Sequence, residues 1–169
     1  MKKASSLLQR GFTLIELLIV IALLGALAVG MIATIDPFEQ LKKGQDTAAR
    51  NMVSELYNSF IRYYGVHTNF PWGTGNTWSN YITLGAAANY IETVATAGEL
   101  KTTFMEAATG YTNRIFITSP TEESINVCFT PQSKSFQTDP LTQYTKSGVV
   151  TTGCSSMTGG SSQCSWCVK

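Results

Sequence analysis

The sequence predicts an α+β fold: a long N-terminal helix, transmembrane then amphipathic, packed on a small antiparallel β-sheet with a disulfide-closed C-terminal tail. Three observations carry this. An apolar run from Phe12 to Ile35 holds a single charge, Glu16. Apolar residues then recur at helical spacing as far as Tyr64. After residue 110 the pattern changes to short β-rich segments, and all four cysteines fall in the last third.

Residues 1–11 come first: short, basic through Lys2, Lys3 and Arg10, and without an acid. The run 12–35 follows. At about 1.5 Å rise per residue it reaches about 36 Å, enough to cross a hydrocarbon core of about 30 Å. A secretory signal has an apolar stretch of only about 7–15 residues with a small-residue cut site after it. Here the run is longer and the small residue, Gly11, precedes it. The basic leader is expected to stay cytoplasmic, with the C-terminal part outside. A carboxylate at the centre of such a span costs on the order of 2.5–3.5 kcal/mol, and less near its edge. Glu16 therefore needs a partner.

Gly11-Phe12-Thr13-Leu14-Ile15-Glu16, behind a basic leader and ahead of an apolar run, resembles the type III signal of type IV pilins and their relatives. The resemblance implies cleavage after Gly11 by a prepilin peptidase, removing leader 1–11. Phe12 becomes the N-methylated first residue and Glu16 the fifth. It further implies a pilin-like fold and a helical homo-polymer, in which Phe12 and Glu16 serve assembly. The implied partners are other copies of the chain, the peptidase and, indirectly, an assembly ATPase and platform machinery. The implied locations are the cytoplasmic membrane for the precursor and a surface filament once assembled. A plain single-pass anchor explains the length of the run but not Glu16.

The helix continues over 36–65. Leu41, Ala48, Ala49, Met52, Val53, Leu56, Phe60, Tyr63 and Tyr64 lie three and four apart, on one amphipathic face. Asp36 and Pro37 mark a break or restart: a capping residue, proline at the first helical position, and Glu39 three past the cap. Pilins also carry a helix-loosening proline in this half, usually a little nearer the N-terminus. Gly65 is the expected stop.

Residues 66–169 form the expected globular domain. Residues 66–80 read as loop, with Pro71, Gly73, Gly75 and Asn76 between Trp72 and Trp78. The Ala-rich stretch 86–108, interrupted at Gly98, predicts one or two short helices. Residues 114–118 and 124–130 predict a hairpin linked through 119–123. Lys134–Gln137 is a candidate third strand, and the Gly/Ser/Thr-rich tail depends on its cysteines for order.

Cys128, Cys154, Cys164 and Cys167 read as two disulfides in an exported domain, with three pairings open. The Cys164-Ser165-Trp166-Cys167 spacing also occurs in redox motifs and zinc sites. His67, the single histidine, reads as an ordinary loop residue, so no histidine metal cluster is available. No nucleotide-binding loop, metalloprotease motif or EF-hand loop occurs, and no catalytic triad is recognisable. No enzyme activity, cofactor or metal is expected. Twelve basic residues face eleven acidic ones, and three of the basic residues lie in the leader. No basic patch remains, so no specific nucleic-acid binding is expected.

Two further readings stand beside the pilus subunit: a pseudopilin of type II secretion, and a membrane-anchored extracellular binding domain that does not polymerise.

Overall fold

Leu14–Thr34, rich in Leu, Ile and Ala, forms the first helix, α1, uninterrupted by Gly25 or Gly30. A Cβ at either glycine would meet nothing within 4 Å, so neither serves a close approach. The computed structural model describes residues 12–34, 36–151 and 164–169. The chain divides into two units, Met1–Pro37 and Phe38–Lys169.

The second helix, α2, runs Pro37–His67 and buries Asp46, Ala49, Val53, Leu56, Ser59, Phe60 and Tyr63. These residues form the stripe that seats the domain. Leu41 was expected on that face, but it is 61% exposed. The polar residues Asp46 and Ser59 take places in the stripe that an apolar pattern does not mark. The helix passes Gly65. It ends where Thr68 turns to φ 59° and donates its N–H to the Tyr64 carbonyl at 2.7 Å.

Four antiparallel strands form one sheet in chain order: β1 (Trp78–Thr83), β2 (Ile115–Thr121), β3 (Ser124–Phe129) and β4 (Trp166–Val168). The β2–β3 register pairs Ile115 with Phe129 and Ile117 with Val127. These side chains are buried and belong to the same core as Val53, Leu56 and Phe60 of α2. The alternate residues, Phe116 opposite Cys128 and Thr118 opposite Asn126, lie on the other face of the sheet. Pro120 sits inside β2, where the register breaks between Thr118 and Thr121 and no ladder donor is required.

Two helices, α3 (Ala88–Thr96) and α4 (Phe104–Ala107), occupy the Ala-rich stretch. They add Ile91, Val94 and Phe104 to the core. Trp72 is also buried, 7% exposed, with Trp78 at 4.7 Å and Phe70 at 4.8 Å between ring centroids. That loop is thus stapled to the core by its aromatic rings.

Two local expectations need correction, at residues 78–80 and at 134–137. Residues 78–80 open strand β1 rather than closing a loop. Its register shifts between Trp78 and Ile82 and its burial does not alternate, so no period of two is visible in the sequence. Lys134–Gln137 is a one-turn helix, α5, not a strand. Carboxylates from α2 hold the N–H groups of Gln132, Ser133 and Lys134, and the chain turns there instead of extending. The end of the tail is a strand: β4 pairs Trp166 with Phe129 and Val168 with Val127. Only three residues long, β4 shows no alternation in the sequence.

The segment 144–150 closes over the outer face of the sheet. Tyr144 bridges to Val150 and Ser165. The Ser147 carbonyl accepts from Thr118 Oγ1 at 3.3 Å and Asn126 Nδ2 at 3.5 Å. Gly148 adopts φ +77°, and a Cβ there would lie 2.9 Å from the Asn126 Cβ. The backbone conformation and the close approach both require glycine.

Candidate functional site: the N-terminal helix and its supports

Leu14–Met31 is long and apolar enough to cross a membrane, with mean hydropathy 2.7 and none of it buried within the structure. Exposure extends right round the helix: Leu14, Ile15, Leu17 and Leu18 are 80%, 65%, 59% and 54% exposed. A helix apolar on every side needs a low-dielectric surrounding, lipid or protein, along its whole circumference.

At its start the backbone N–H and the hydroxyl of Thr13 donate to Glu16 Oε2, at 2.9 and 2.7 Å. The Glu16 N–H donates to Thr13 Oγ1 at 3.3 Å. Thr13 is the residue before α1 and Glu16 the third residue within it, so this is a reciprocal capping box. The box satisfies two amide donors that the first turn leaves without intrahelical partners. The sequence carries its signature, a threonine followed three residues later by glutamate before an apolar run. The sequence expectation that Glu16 needs a partner did not include this local one. Phe12 is 83% exposed beside the box, whereas Gly11 lies outside the described residues. Of the expected break, Asp36 lies just before α2 and Pro37 opens it, while α1 ends at Thr34.

In the second unit, α2 supplies two carboxylates seven residues apart. Fully buried Asp46 accepts from Arg114 Nη2 at 2.6 Å. Its other oxygen takes the Gln132 and Ser133 N–H groups at 2.9 and 2.7 Å, and Ser133 Oγ at 2.7 Å. Both oxygens of this buried carboxylate are thus met by donors. Arg114 also donates to the Thr130 carbonyl at 3.2 Å, while its Nε is buried without a partner. Glu39 accepts from the Lys134 N–H at 3.0 Å and pairs with Lys42 at 3.2 Å. The Lys134 bond foremost, with smaller help from Lys42, holds the Glu39 carboxyl below its ordinary 4.5 against a modest opposing effect of desolvation. Neither acid figured in the sequence expectations as a tie to the tail side of the domain. Their partners lie roughly 70–95 residues away in the chain, and no local pattern marks such a contact.

Cys128 and Cys167 form a disulfide between directly opposed residues of β3 and β4, with Cα atoms 4.1 Å apart. Cys164 is also disulfide-bonded, and Cys154 lies outside the described residues. Among the described residues, no cluster of three or more His, Cys, Asp or Glu side chains is placed to hold a metal ion. His67 closes α2 rather than lying in a loop, its ring stacked on Tyr63 at 4.0 Å. A cavity of about 440 Å³ opens between α3 and α4, lined by Ile91, Ala95, Phe104 and Met105, with Glu92 and Lys101 as its ionisable residues.

Residues 7–32 match the family model described as the prokaryotic N-terminal methylation motif. No curated protein and no solved structure matches the chain. The matched segment covers the Thr13–Glu16 box and nearly all of the exposed apolar helix. The chain thus carries the prepilin-type cleavage and methylation signal of type IV pilin-like proteins.

Proposed function

We propose that this chain is a structural subunit of a type IV pilus-like surface filament, polymerising through α1. Prepilin peptidase cuts after Gly11 and Phe12 becomes the methylated N-terminus. The subunit waits in the membrane with its domain outside, then passes into a helical polymer of its own copies. The assembly ATPase and platform machinery act on it indirectly. The role is mechanical, in keeping with the typically non-enzymatic proteins that bear this signal.

One observation carries the reading: a helix apolar all round whose only charge lies one turn after Phe12. Such a helix is as well buried among its own copies as in lipid, so extraction need not expose it to water. Cleavage creates a cationic amine at Phe12. A Glu16 carboxylate from a neighbouring copy neutralises that amine in a dry core, where an unpaired charge costs several kcal/mol. A subunit entering at the wrong height leaves both charges unpaired, so the pair sets register.

The test is electron microscopy of cells expressing Glu16→Ala, with immunoblots of precursor and mature chain. The reading expects membrane insertion and cleavage to persist while filaments fall to a small fraction of wild type. Normal filament numbers would favour the anchored-domain reading. Short envelope-confined assemblies, with no surface filaments from the wild-type chain, would favour a pseudopilin.

A further inference from the structure

The Cys128–Cys167 bond joins the two cysteines farthest apart in the chain, at a separation of 39 residues, and both other cysteines lie between them. Cysteines oxidised in the order they emerge from a membrane pair consecutively, giving Cys128–Cys154 and Cys164–Cys167. Loop closure acts the same way: closing a short loop costs less chain entropy than closing one of 39 residues. The native strand excludes the Cys164–Cys167 bond. Ser165 is bridged to Tyr144 and Trp166–Val168 is extended along β3. Residues three apart in a strand stand about 10 Å apart, beyond the roughly 7 Å that a disulfide spans. The Cys164–Cys167 bond and the docked tail are therefore mutually exclusive.

We propose that maturation of the external domain passes through a Cys164–Cys167-bonded state with its tail undocked, and that a thiol–disulfide exchange catalyst outside the membrane resolves it. The partner is a protein or small molecule presenting a reactive thiolate. Its thiolate attacks Cys164 Sγ, forms a mixed disulfide there and releases Cys167 as a thiolate. Cys167 attacks Cys128 Sγ, forms the native bond and releases the Cys154 thiolate. Cys154 attacks Cys164 Sγ and returns the catalyst thiolate. Two disulfides exist before and after, no oxidant is consumed, and the catalyst is regenerated.

The exchange is directional because the product is covered. Cys128 is fully buried, and the 144–150 segment lies against the bond, with Cys167 Sγ 3.8 Å from the Thr145 carbonyl oxygen. Docking also places Trp166 in the core beneath Arg50, 4.7 Å from its ring centroid.

The test uses the full chain in detergent, reduced and unfolded, then diluted directly into oxidant. One arm contains diamide at stoichiometry with the thiols; the other contains a reduced and oxidised glutathione mixture. Acid quenching, alkylation and peptide mapping follow the bonds in time. The expected result is Cys164–Cys167 accumulating with diamide, with at least about 10-fold more Cys128–Cys167 in the glutathione arm. The Cys154→Ser/Cys164→Ser double variant, which has no competing pair, should form Cys128–Cys167 equally in both arms. Cys128–Cys167 as the main product with diamide overturns the proposal. So does a double variant that still needs the thiol, or a Cys164–Cys167 bond that survives glutathione.

Discussion

Glu16 has two available tasks, and they differ in what they ask of its side chain. The capping box needs an oxygen that accepts from Thr13, at 2.9 and 2.7 Å. Register setting needs a negative charge. Glu16→Gln keeps the first and loses the second; Glu16→Ala loses both. If charge pairing governs assembly, the two variants should lose filaments alike in electron micrographs. If capping alone matters, Gln should assemble nearly normally. Thr13→Val removes the cap and leaves the carboxylate, and should cost about 1 kcal/mol of helix stability at most while filaments persist. Asp46 poses the sharper stability question. Asp46→Ala leaves Arg114 and the Gln132 and Ser133 amides without their buried acceptor. Losing one partner of a buried pair costs about 3–5 kcal/mol, measurable as a lower denaturant midpoint for the exported domain. Glu39 acts in the same place but at the surface. Its folded carboxyl titrates below 4.5, so the stability it contributes is complete above that value. That contribution is lost as pH falls through the lowered folded pKa. Urea midpoints measured across this acid range should decline less in Glu39→Gln than in wild type.

At the scale of elements, what the sequence revealed follows from how local each cause is. Helix α1 was legible because its cause, uninterrupted apolarity, lies in consecutive residues. Most of the α2 stripe was legible from its period, though the period alone could not distinguish exposed Leu41 from buried Leu56. The β2–β3 hairpin announced itself through β-branched and aromatic residues around Glu122 and Glu123. Helix α5 was hidden because the groups that turn it, Asp46 and Glu39, sit roughly 90 residues earlier. Strand β4 was hidden because its docking depends on a distant disulfide partner and on three residues. In the candidate site, Gly11, Phe12 and Glu16 were readable as a motif, whereas the Thr13 box was overlooked although its spacing is in the sequence. The 144–150 segment makes a separate prediction. Gly148→Ala forces a side chain into a positive φ and within 2.9 Å of Asn126. It should lower domain stability by about 1–3 kcal/mol and raise amide exchange across 144–150. Gly25→Ala, with open space around it, should do neither.

For the whole molecule, a helix that cannot rest in water is joined in one chain to a domain whose buried core and disulfides suit the outside. The proposed function makes that combination an anchored domain in the membrane and, among copies, a filament with the helices inside. The filament account assigns to Gly11 the step that opens the second state, with a side chain there intruding on the peptidase site at the membrane surface. Gly11→Val should leave the uncut precursor in the membrane fraction, read as one larger band on an immunoblot, with no surface filaments. The most direct measurement is intact-mass and N-terminal analysis of the chain recovered from filaments sheared off the cell surface. The filament account predicts that the chain is abundant there and begins at Phe12, with one methyl group on its amine. A chain confined to the membrane fraction, or one that starts anywhere other than Phe12, would contradict it.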